Sequence, residues 1–523
     1  MARRRASGQR LLLAEDTDRT TGRDARSMNV TAARAIAEAV RTTLGPKGMD
    51  KMLLDGDGNV VITNDGVTIL SEMDIDHPGA NMIVEVAETQ EGEVGDGTTT
   101  AVVLAGELLK QASDLVDQDI HPTTVANGFR RATAQAGVLL DDLALDVDPD
   151  DRDTLEQIAI TVMTGKSAED AREHLAELLV DAALTVRTDG WVNLENIDVN
   201  TVVGQPIDAS ELIEGVVIEE EPVHPQMPGT LSDAAVGVLA SGIEVEEPEI
   251  DAEIAIDDPE RLLEFQTAER DSLRERAEAI ADAGVDFLVA GDDIADVAAE
   301  ALANAGVVAL EDVDDDELSR IARATGARVA TTVAEFDEDI LGYAGSISVD
   351  SLGEDDVVIV GDVDAGEVVT LVLRAGTEGA LDEVERAIMD SLHAVRVAVG
   401  SGEVVAGGAA SETALALALR DYADSVGGRE QLAVEAYADA LEVVPRTLAE
   451  NAGLDPIDAL VELRAEHSGG ADTAGLDAVT GDVIDMWEEG VVEPAAVKRQ
   501  AIGSATEAAV MILRIDDVIS ASS

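Results

Sequence analysis

Cysteine is absent from the 523 residues, and aromatic residues make up only 2% of them. Without cysteine the chain has no disulfide, no thiolate nucleophile and no cysteine-ligated metal, and its six scattered histidines form no zinc pattern. Hydrophobic residues still reach 46%, so valine, alanine, leucine and isoleucine must build the cores. No uninterrupted apolar run is long enough to cross a bilayer, and we therefore expect no membrane-spanning segment.

Basic residues are scarce, because 35 Lys and Arg face 109 Asp and Glu, for a formal net charge of −74. Nucleic acids and anionic membranes bind through Lys and Arg patches, so neither is expected as a partner. At molar salt the Debye length is about 3 Å, which screens most of the self-repulsion. The apolar stretch after Arg3-Arg4-Arg5, Leu11-Leu12-Leu13, is too short for a signal peptide. We therefore expect a soluble, cytoplasmic protein of a salt-filled cell.

The first part of the chain has mainly helical spacing. A helix is predicted from Asn29, as its cap, to Leu44, and others from about Thr98 to Val116 and from about Thr123 to Leu143. Two short β-branched runs around Asn64-Asp65-Gly66 predict a β-hairpin with Asp65 protruding from its tip.

The middle of the chain alternates between strand and helix patterns from about Val285 to Thr331, which is typical of an α/β domain. A long charged helix from about Asp258 to Ala283 precedes it, and long helices return after about Glu378. This order predicts an α/β domain inserted into a discontinuous helical one, in a chain long enough for about three domains.

Three glycine-containing segments resemble a phosphate cradle. Glycine lets backbone amides approach an anion, and a helix beginning near Thr98 would direct its positive end at that anion. Asp96 lies where it could hold magnesium, which needs few protein carboxylates beside phosphate oxygens. The chain has only five lysines, and Lys47 and Lys51 lie in or beside the first segment. The segments are Leu44-Gly45-Pro46-Lys47-Gly48, Asn64-Asp65-Gly66 and Gly95-Asp96-Gly97-Thr98-Thr99-Thr100.

Several of these residues also have simpler interpretations. Asp96 could be an ordinary helix cap, and Asp390 could be a solvated aspartate paired with Arg386 one turn earlier. Lys166 follows Gly165, but Ile160 occupies the position where a P-loop needs glycine, so Lys166 is either a surface lysine or a point charge for a terminal phosphate.

Taken in order, the motifs closely resemble the group II chaperonins. The matching segments are Thr43 to Leu53, Thr63 to Gly66, Glu93 to Thr99, Met163 to Lys166, Val223 to Pro225, Asp382 to Ala387, Asp485 to Trp487 and Val492 to Pro494. The similarity runs from about Thr21 to Val518. It implies a multidomain α+β and α/β fold with a mainly helical, discontinuous equatorial domain, a small intermediate domain and an inserted α/β apical domain with a helical protrusion.

The resemblance also implies a division of the chain and an assembly. Residues 1–148 and 405–523 would form the equatorial domain, 149–219 and 370–404 the intermediate domain, and 220–369 the apical domain with its lid. Identical or paralogous subunits would form two stacked rings of eightfold or ninefold symmetry, in which non-native proteins fold. ATP hydrolysis would drive closure of the lid.

Carried onto matching positions, the resemblance implies a role for each site residue. Asp96 would coordinate Mg²⁺, with K⁺ as a second candidate cation, while Asp390 would orient the attacking water with help from Asp65. Lys166 would sense the terminal phosphate. The residues implied to contact ATP are Thr43, Leu44, Gly45, Pro46, Asn64, Gly97, Thr98, Thr99 and Thr100 around the phosphates, Gly408 and Glu493 at the ribose, and Ala478 and Val479 near the adenine.

The sequence departs from the family pattern at two places. Ala409 replaces the third glycine after Gly407-Gly408, and Ala375 replaces the first glycine after Arg374, which bears on the fit at the ribose and on the hinge. Two other functions stay open at this point: a phosphotransferase that uses the same Mg-ATP site, and a structural ring subunit that binds ATP but folds little itself.

Overall fold

A computed structural model describes residues 17–54, 60–166, 171–188, 190–244, 259–352, 355–363 and 368–521. The chain divides into two units: unit 1 comprises Met1–Glu169 and Met389–Ser523, and unit 2 comprises Asp170–Ile388. Unit 1 therefore combines both ends of the chain, with unit 2 inserted between them. The finer division into five domain segments stays a prediction.

Helices account for most of the described residues of unit 1, and unit 2 contains several more. The helices are α1 Arg23–Arg41, α2 Gly66–Ser71, α3 Pro78–Val94, α4 Thr98–Asp117, α5 Pro122–Leu143, α6 Arg152–Met163, α7 Arg172–Thr185, α8 Pro259–Asp282, α9 Asp296–Ala305, α10 Asp315–Thr325, α11 Glu378–Ser401, α12 Ala410–Ala423, α13 Glu430–Leu441, α14 Val443–Asn451, α15 Pro456–Ser468 and α16 Ala495–Leu513. Across the described residues, no helix is both long and apolar enough to cross a membrane.

Strands are concentrated in unit 2 and are short in unit 1. The strands are β1 Thr17–Thr21, β2 Lys51–Leu54, β3 Val60–Thr63, β4 Leu145–Asp146, β5 Arg187–Thr188, β6 Trp191–Val192, β7 Ile197–Val203, β8 Glu211–Ile218, β9 Thr230–Leu239, β10 Phe287–Ala290, β11 Val308–Leu310, β12 Val329–Ala330, β13 Gly342–Leu352, β14 Asp355–Gly361, β15 Val369–Ala375, β16 Glu403–Ala406, β17 Ala474–Leu476, β18 Val483–Asp485, β19 Val492–Pro494 and β20 Asp517–Ala521.

The core of unit 1 is built around α4. Alanine, valine and leucine occupy every face of this helix between Ala101 and Leu109, so it is buried along most of its length. Helices α1, α3, α13 and α16 pack around it. Strand β1 pairs antiparallel with β20, and β16 lies between β19 and β4. The beginning of α4 is thus fixed by a rigid helical core.

Unit 2 is organised by a mixed sheet. Its strands follow the order β11-β10-β9-β13-β14-β8-β15-β7, with β12 beside β9. Strand β10 is parallel to β9 and β11 and is fully buried, as its continuous apolar sequence predicts. Helix α10 packs against β8 and β9, and α8 packs on α9. The alternating pattern from about Val285 to Thr331 is confirmed as β10, α9, β11, α10 and β12.

Two local predictions are wrong. The hairpin around Asp65 is absent, because β3 pairs with the preceding β2 and the β-branched run after Asp65 forms α2. Asp65 does not protrude from a tip; its Oδ2 accepts a hydrogen bond from the Thr68 amide at 2.7 Å and caps α2. Helix α1 begins at Arg23, so Asn29 is not its cap but a residue of its interior that is only 2% exposed.

Candidate functional site

The beginning of α4 presents backbone amides without a capping side chain. Gly95 ends α3 at φ 70° and Gly97 precedes α4 at φ 76°, both in the left-handed region that favours glycine. No side chain among the described residues caps α4. The amides of Thr98 and Thr99 are therefore available to an anion, at the positive end of a long helix. A phosphate group fits this arrangement.

The loop after α1 lies close to the loop after α6, which carries Gly165 and Lys166. Its glycine, Gly45, has φ 81°, and an added Cβ would overlap Leu448. Asn451 holds the loop by donating to the carbonyls of Arg41 at 3.1 Å and Leu44 at 2.9 Å. An added Cβ at Gly165 would lie 2.6 Å from Cα of Pro46. The close packing at Gly165 brings the neighbouring Lys166 to the loop after α1.

Asn64 and Gly66 connect the second glycine segment to the segment around Lys166 and to the beginning of α4. The side chain of Asn64 donates to the Gly165 carbonyl at 2.8 Å. An added Cβ at Gly66 would lie 2.5 Å from Oγ1 of Thr99. All three glycine segments and the segment around Lys166 therefore meet at the beginning of α4, as the sequence predicts for a phosphate cradle.

Asp390 is buried beside this cradle and forms an ion pair with Lys166. It is only 8% exposed, while Arg386 pairs with Glu383 at 2.6 Å, so the solvated aspartate paired with Arg386 is the wrong interpretation. Burial raises the pKa of Asp390, and the charge of Lys166 opposes this. Burial alone would lower the pKa of Lys166, but the carboxylates of Asp390 and Asp96 outweigh it and raise the pKa.

Glu91 is a member of this group that the sequence motifs did not reveal. Its side chain is hydrogen-bonded to Asp390, and burial followed by the charges of Asp390 and Asp65 raises its pKa to about 9. Near neutral pH Glu91 therefore holds a proton, which it can donate to Asp390 in their hydrogen bond. The signal in the sequence was weak, because Glu91 lies within a run of polar and charged residues at the end of α3.

Asp96 follows Gly95 in the turn between α3 and α4. Gln90 fixes this turn by donating to the carbonyls of Asp96 at 2.7 Å and Val497 at 3.1 Å. Within the described part of the chain, no three His, Cys, Asp or Glu residues are grouped so that they could hold a metal ion. The donor set fits magnesium, which takes one or two carboxylates and completes its shell with water and phosphate oxygens.

Glu493 belongs to a second buried group of charges. Its Oε2 lies 2.7 Å from Nζ of Lys498, which also lies 2.9 Å from Oε1 of Glu412. An added Cβ at Gly407 would lie 3.1 Å from Oε1 of Glu493, so the carboxylate lies against the glycine pair. No sequence motif pointed to Lys498 or Glu412, although Lys498 is one of only five lysines.

The turn that carries Ala478 and Val479 adjoins the glycine pair through its preceding strand. The Leu476 amide donates to the Gly408 carbonyl at 2.8 Å. Ala478 is buried, whereas Val479 is 58% exposed. Asp477 fixes the turn: although burial opposes it, hydrogen bonds from Thr480 and from the Val479 amide lower the pKa of Asp477.

Two further predicted site residues, and one departure from the family pattern, lie in helix ends or turns of unit 1. The hydroxyl of Thr43 donates to the Val40 carbonyl at 2.9 Å, so it completes the end of α1. Thr100 lies in the first turn of α4 behind Thr98 and Thr99. Ala409 has φ 61°, so the backbone adopts the left-handed conformation at the position where the resemblance implies glycine, at a cost of about 1–2 kcal/mol.

Comparison with known proteins identifies the family. The TCP-1/cpn60 chaperonin family matches residues 36–523. The chain belongs to this chaperonin family. It is 56% identical to the thermosome subunit 1 of Haloferax volcanii over 522 residues, which cover 100% of this chain and 93% of the relative. The thermosome subunit alpha of Halobacterium salinarum is also 56% identical, over 521 residues with the same shares. The thermosome subunit of Methanopyrus kandleri is 53% identical over 517 residues, 98% of this chain and 95% of the relative.

The predicted group II chaperonin assignment and the multidomain fold class are confirmed. This chaperonin is a subunit whose family hydrolyses ATP to assist protein folding. Two of its relatives come from salt-requiring archaea, in agreement with the net charge of −74.

Proposed function

We propose that this chaperonin binds Mg-ATP at the beginning of α4 and hydrolyses it with Asp390. The uncapped amides of α4, next to a buried Asp390–Lys166 pair, carry this proposal. Asp96 would hold Mg²⁺, which would neutralise phosphate charge when bound, and K⁺ is a second candidate cation. The phosphates would lie against Gly45, Gly97, Thr98, Thr99 and Thr100, in a cradle shaped by Thr43, Leu44, Pro46 and Asn64.

In this proposal, the carboxylate of Asp390 accepts a hydrogen bond from the attacking water. Its ion pair with Lys166 and its hydrogen bond with Glu91 fix the direction of the carboxylate. A fixed carboxylate orients the water in line with the terminal phosphate, and the lysine offsets charge on that phosphate. Asp65, which is held as the cap of α2, assists from the side. Glu493 and Gly408 would contact the ribose, and Ala478 and Val479 the adenine.

The exchange of Asp390 for asparagine tests this assignment, because it keeps the side-chain volume and removes the charge. We expect Asp390→Asn to bind ATP but to lose about 10²–10⁴-fold in hydrolysis rate. The matched control is Asp382→Asn, the same exchange at an exposed position of α11, which should hydrolyse ATP at the wild-type rate. Hydrolysis by Asp390→Asn at the wild-type rate would remove Asp390 from the mechanism.

Two further readouts of the same variants separate the alternatives. Release of all phosphate as inorganic phosphate, with none on a small acceptor, distinguishes the ATPase from a phosphotransferase. Loss of client refolding together with hydrolysis supports a working chaperonin that closes its lid on non-native proteins. An unchanged refolding yield in Asp390→Asn would favour a structural ring subunit.

Assembly into rings is supported by the β2–β3 hairpin. Its cross-strand pairs Met52–Ile62 and Leu54–Val60 form an apolar face, and all four side chains are more than half exposed. An exposed apolar face of this kind indicates a contact with another chain. We propose that the face binds a neighbouring subunit in two stacked rings of eightfold or ninefold symmetry in the cytoplasm. The double exchange Met52→Asp and Leu54→Asp should reduce the native mass in molar potassium chloride, measured by light scattering.

A further inference from the structure

Lys498 is a buried cation between two buried carboxylates. It is 6% exposed and lies on the first turn of α16, while Glu412 is 3% exposed and lies on α12. The distances from Nζ are 2.9 Å to Oε1 of Glu412 and 2.7 Å to Oε2 of Glu493. Burial alone would lower the pKa of Lys498, but the two carboxylates outweigh it and raise the pKa. The group therefore contains one ammonium and two competing carboxylates.

Such a group is a costly way to stabilise a core. Removing two or three charges from water is expensive, and apolar residues of similar volume often replace them without loss. The chain also has few cations to place, because only five of its residues are lysine. A role beyond packing would explain why one of them lies here.

The oxygens of the two glutamates are used differently. In Glu412, Oε1 faces Lys498 and Oε2 accepts a hydrogen bond from Ser411 at 3.1 Å, so both oxygens have partners. In Glu493, Oε2 faces Lys498, whereas the described residues offer Oε1 no hydrogen-bond donor. That oxygen lies beside Gly407, next to Gly408. Lys498 thus holds one oxygen of Glu493 and leaves the other free to accept from a ligand.

We propose that Lys498 is a positioning residue that keeps Glu493 as an acceptor for the ribose hydroxyls of the nucleotide, so that the site prefers ribonucleotides over their deoxy analogues. This inference rests on the proposed place of Glu493 at the ribose. Burial raises the pKa of Glu493, and the charge of Lys498 opposes this. Without Lys498, burial and the negative charges of Glu412 and Asp96 would act unopposed and favour protonation of Glu493. A protonated or displaced Glu493 accepts hydroxyl hydrogen bonds poorly.

The test compares ATP with 2′-deoxy-ATP and 3′-deoxy-ATP as substrates of the assembled protein. A hydrogen bond to a charged acceptor corresponds to about a 10- to 100-fold preference, which we expect in the wild type as the ratio of KM values for at least one analogue. Lys498→Met should reduce this preference to less than about 3-fold by raising KM for ATP, with a much smaller effect on kcat. The matched control is Lys110→Met, which breaks the separate Lys110–Glu107 pair on α4 and should leave the preference unchanged.

A double variant keeps the test informative if Lys498→Met folds poorly. The double variant Glu412→Gln/Lys498→Met removes the competing carboxylate together with the lysine. Glu493 can then ionise again, and part of the preference for ATP over its deoxy analogues should return. No recovery in a folded double variant, or a full preference in folded Lys498→Met, would overturn the positioning role.

Glu493→Gln distinguishes failure of this inference from failure of the proposed function. If Glu493→Gln abolishes the preference and Lys498→Met does not, Glu493 contacts the ribose without needing Lys498. If neither variant changes the preference, or the wild type has none, the ribose assignment of Glu493 is itself wrong, and the positioning role falls with it.

Discussion

Exchange of Gly95 for alanine should impair both stability and hydrolysis, because this glycine lies against the helix that carries Asp390. Gly95 ends α3 at φ 70°. A Cβ added there would lie 2.9 Å from Cγ of His393 and closer still to its Cβ. His393 follows Asp390 by three residues on α11 and is hydrogen-bonded to the carbonyl of Glu91. The substitution therefore pushes on the turn of α11 that carries Asp390.

The size of the effect has two parts. An alanine in the left-handed region costs about 1–2 kcal/mol. Carbon atoms make contact at about 3.5–4.0 Å, so His393 must retreat by more than about 1 Å, and overpacking of this kind costs about 1–3 kcal/mol. The total is about 2–5 kcal/mol of unfolding free energy. A shift of about 1 Å in a catalytic group lowers kcat by about 10²-fold.

The assay combines thermal unfolding with steady-state ATP hydrolysis in molar potassium chloride. The control is Gly92→Ala, three residues earlier, where an added Cβ meets nothing within 4 Å. Because Gly92 lies inside α3, alanine should stabilise that helix by about 1 kcal/mol and leave hydrolysis unchanged. Wild-type stability and kcat in Gly95→Ala would refute the reasoning from close packing.

Two further predictions concern charge. Burial, opposed by Arg320 and reinforced by neighbouring carboxylates, raises the pKa of Glu317 to about 7, above its unfolded value of about 4.3. The native state then holds the extra proton, so the unfolding free energy falls as pH rises from about 4.3 to 7. Glu317→Gln should therefore melt above the wild type at pH 8 and close to it at pH 5; equal differences at both pH values would contradict the assignment. Lowering potassium chloride from molar to about 0.1 M should reduce the native mass and the melting temperature, because the Debye length grows to about 10 Å, and an assembly unchanged in dilute buffer would count against the charge argument.

Elements with strong local signals could be predicted from the sequence. Helix α4 was placed within a residue of its observed end, because a glycine precedes it and apolar residues continue without a break. The prediction of a hairpin around Asp65 was wrong. The β-branched residues after Asp65 favour a strand, but the capping hydrogen bond from the Thr68 amide to Asp65 favours a helix, and a helix forms. Two local preferences conflicted there, and the pattern of β-branched residues was the weaker guide.

The charged contacts of the candidate site were beyond local reasoning. The helical position of Asp390 suggested solvent, yet its partner Lys166 lies 224 positions away in the sequence. The same holds for Lys498, whose partners come from another helix and from a strand. A motif can indicate that a lysine matters, but which carboxylate it meets depends on how distant segments pack.

The distribution of the few lysines connects the charge of the chain to its site. Salt screens exposed charges strongly and buried ones weakly, so a salt-filled cell permits an acidic surface but does not relieve a buried carboxylate. Lys166 and Lys498 each lie beside buried carboxylates around the proposed nucleotide. Counter-ions from solution cannot replace them there, because a buried charge needs a partner in contact. Two of the five lysines of the chain supply this contact at the site, and their pairing explains why the site tolerates so acidic a protein around it.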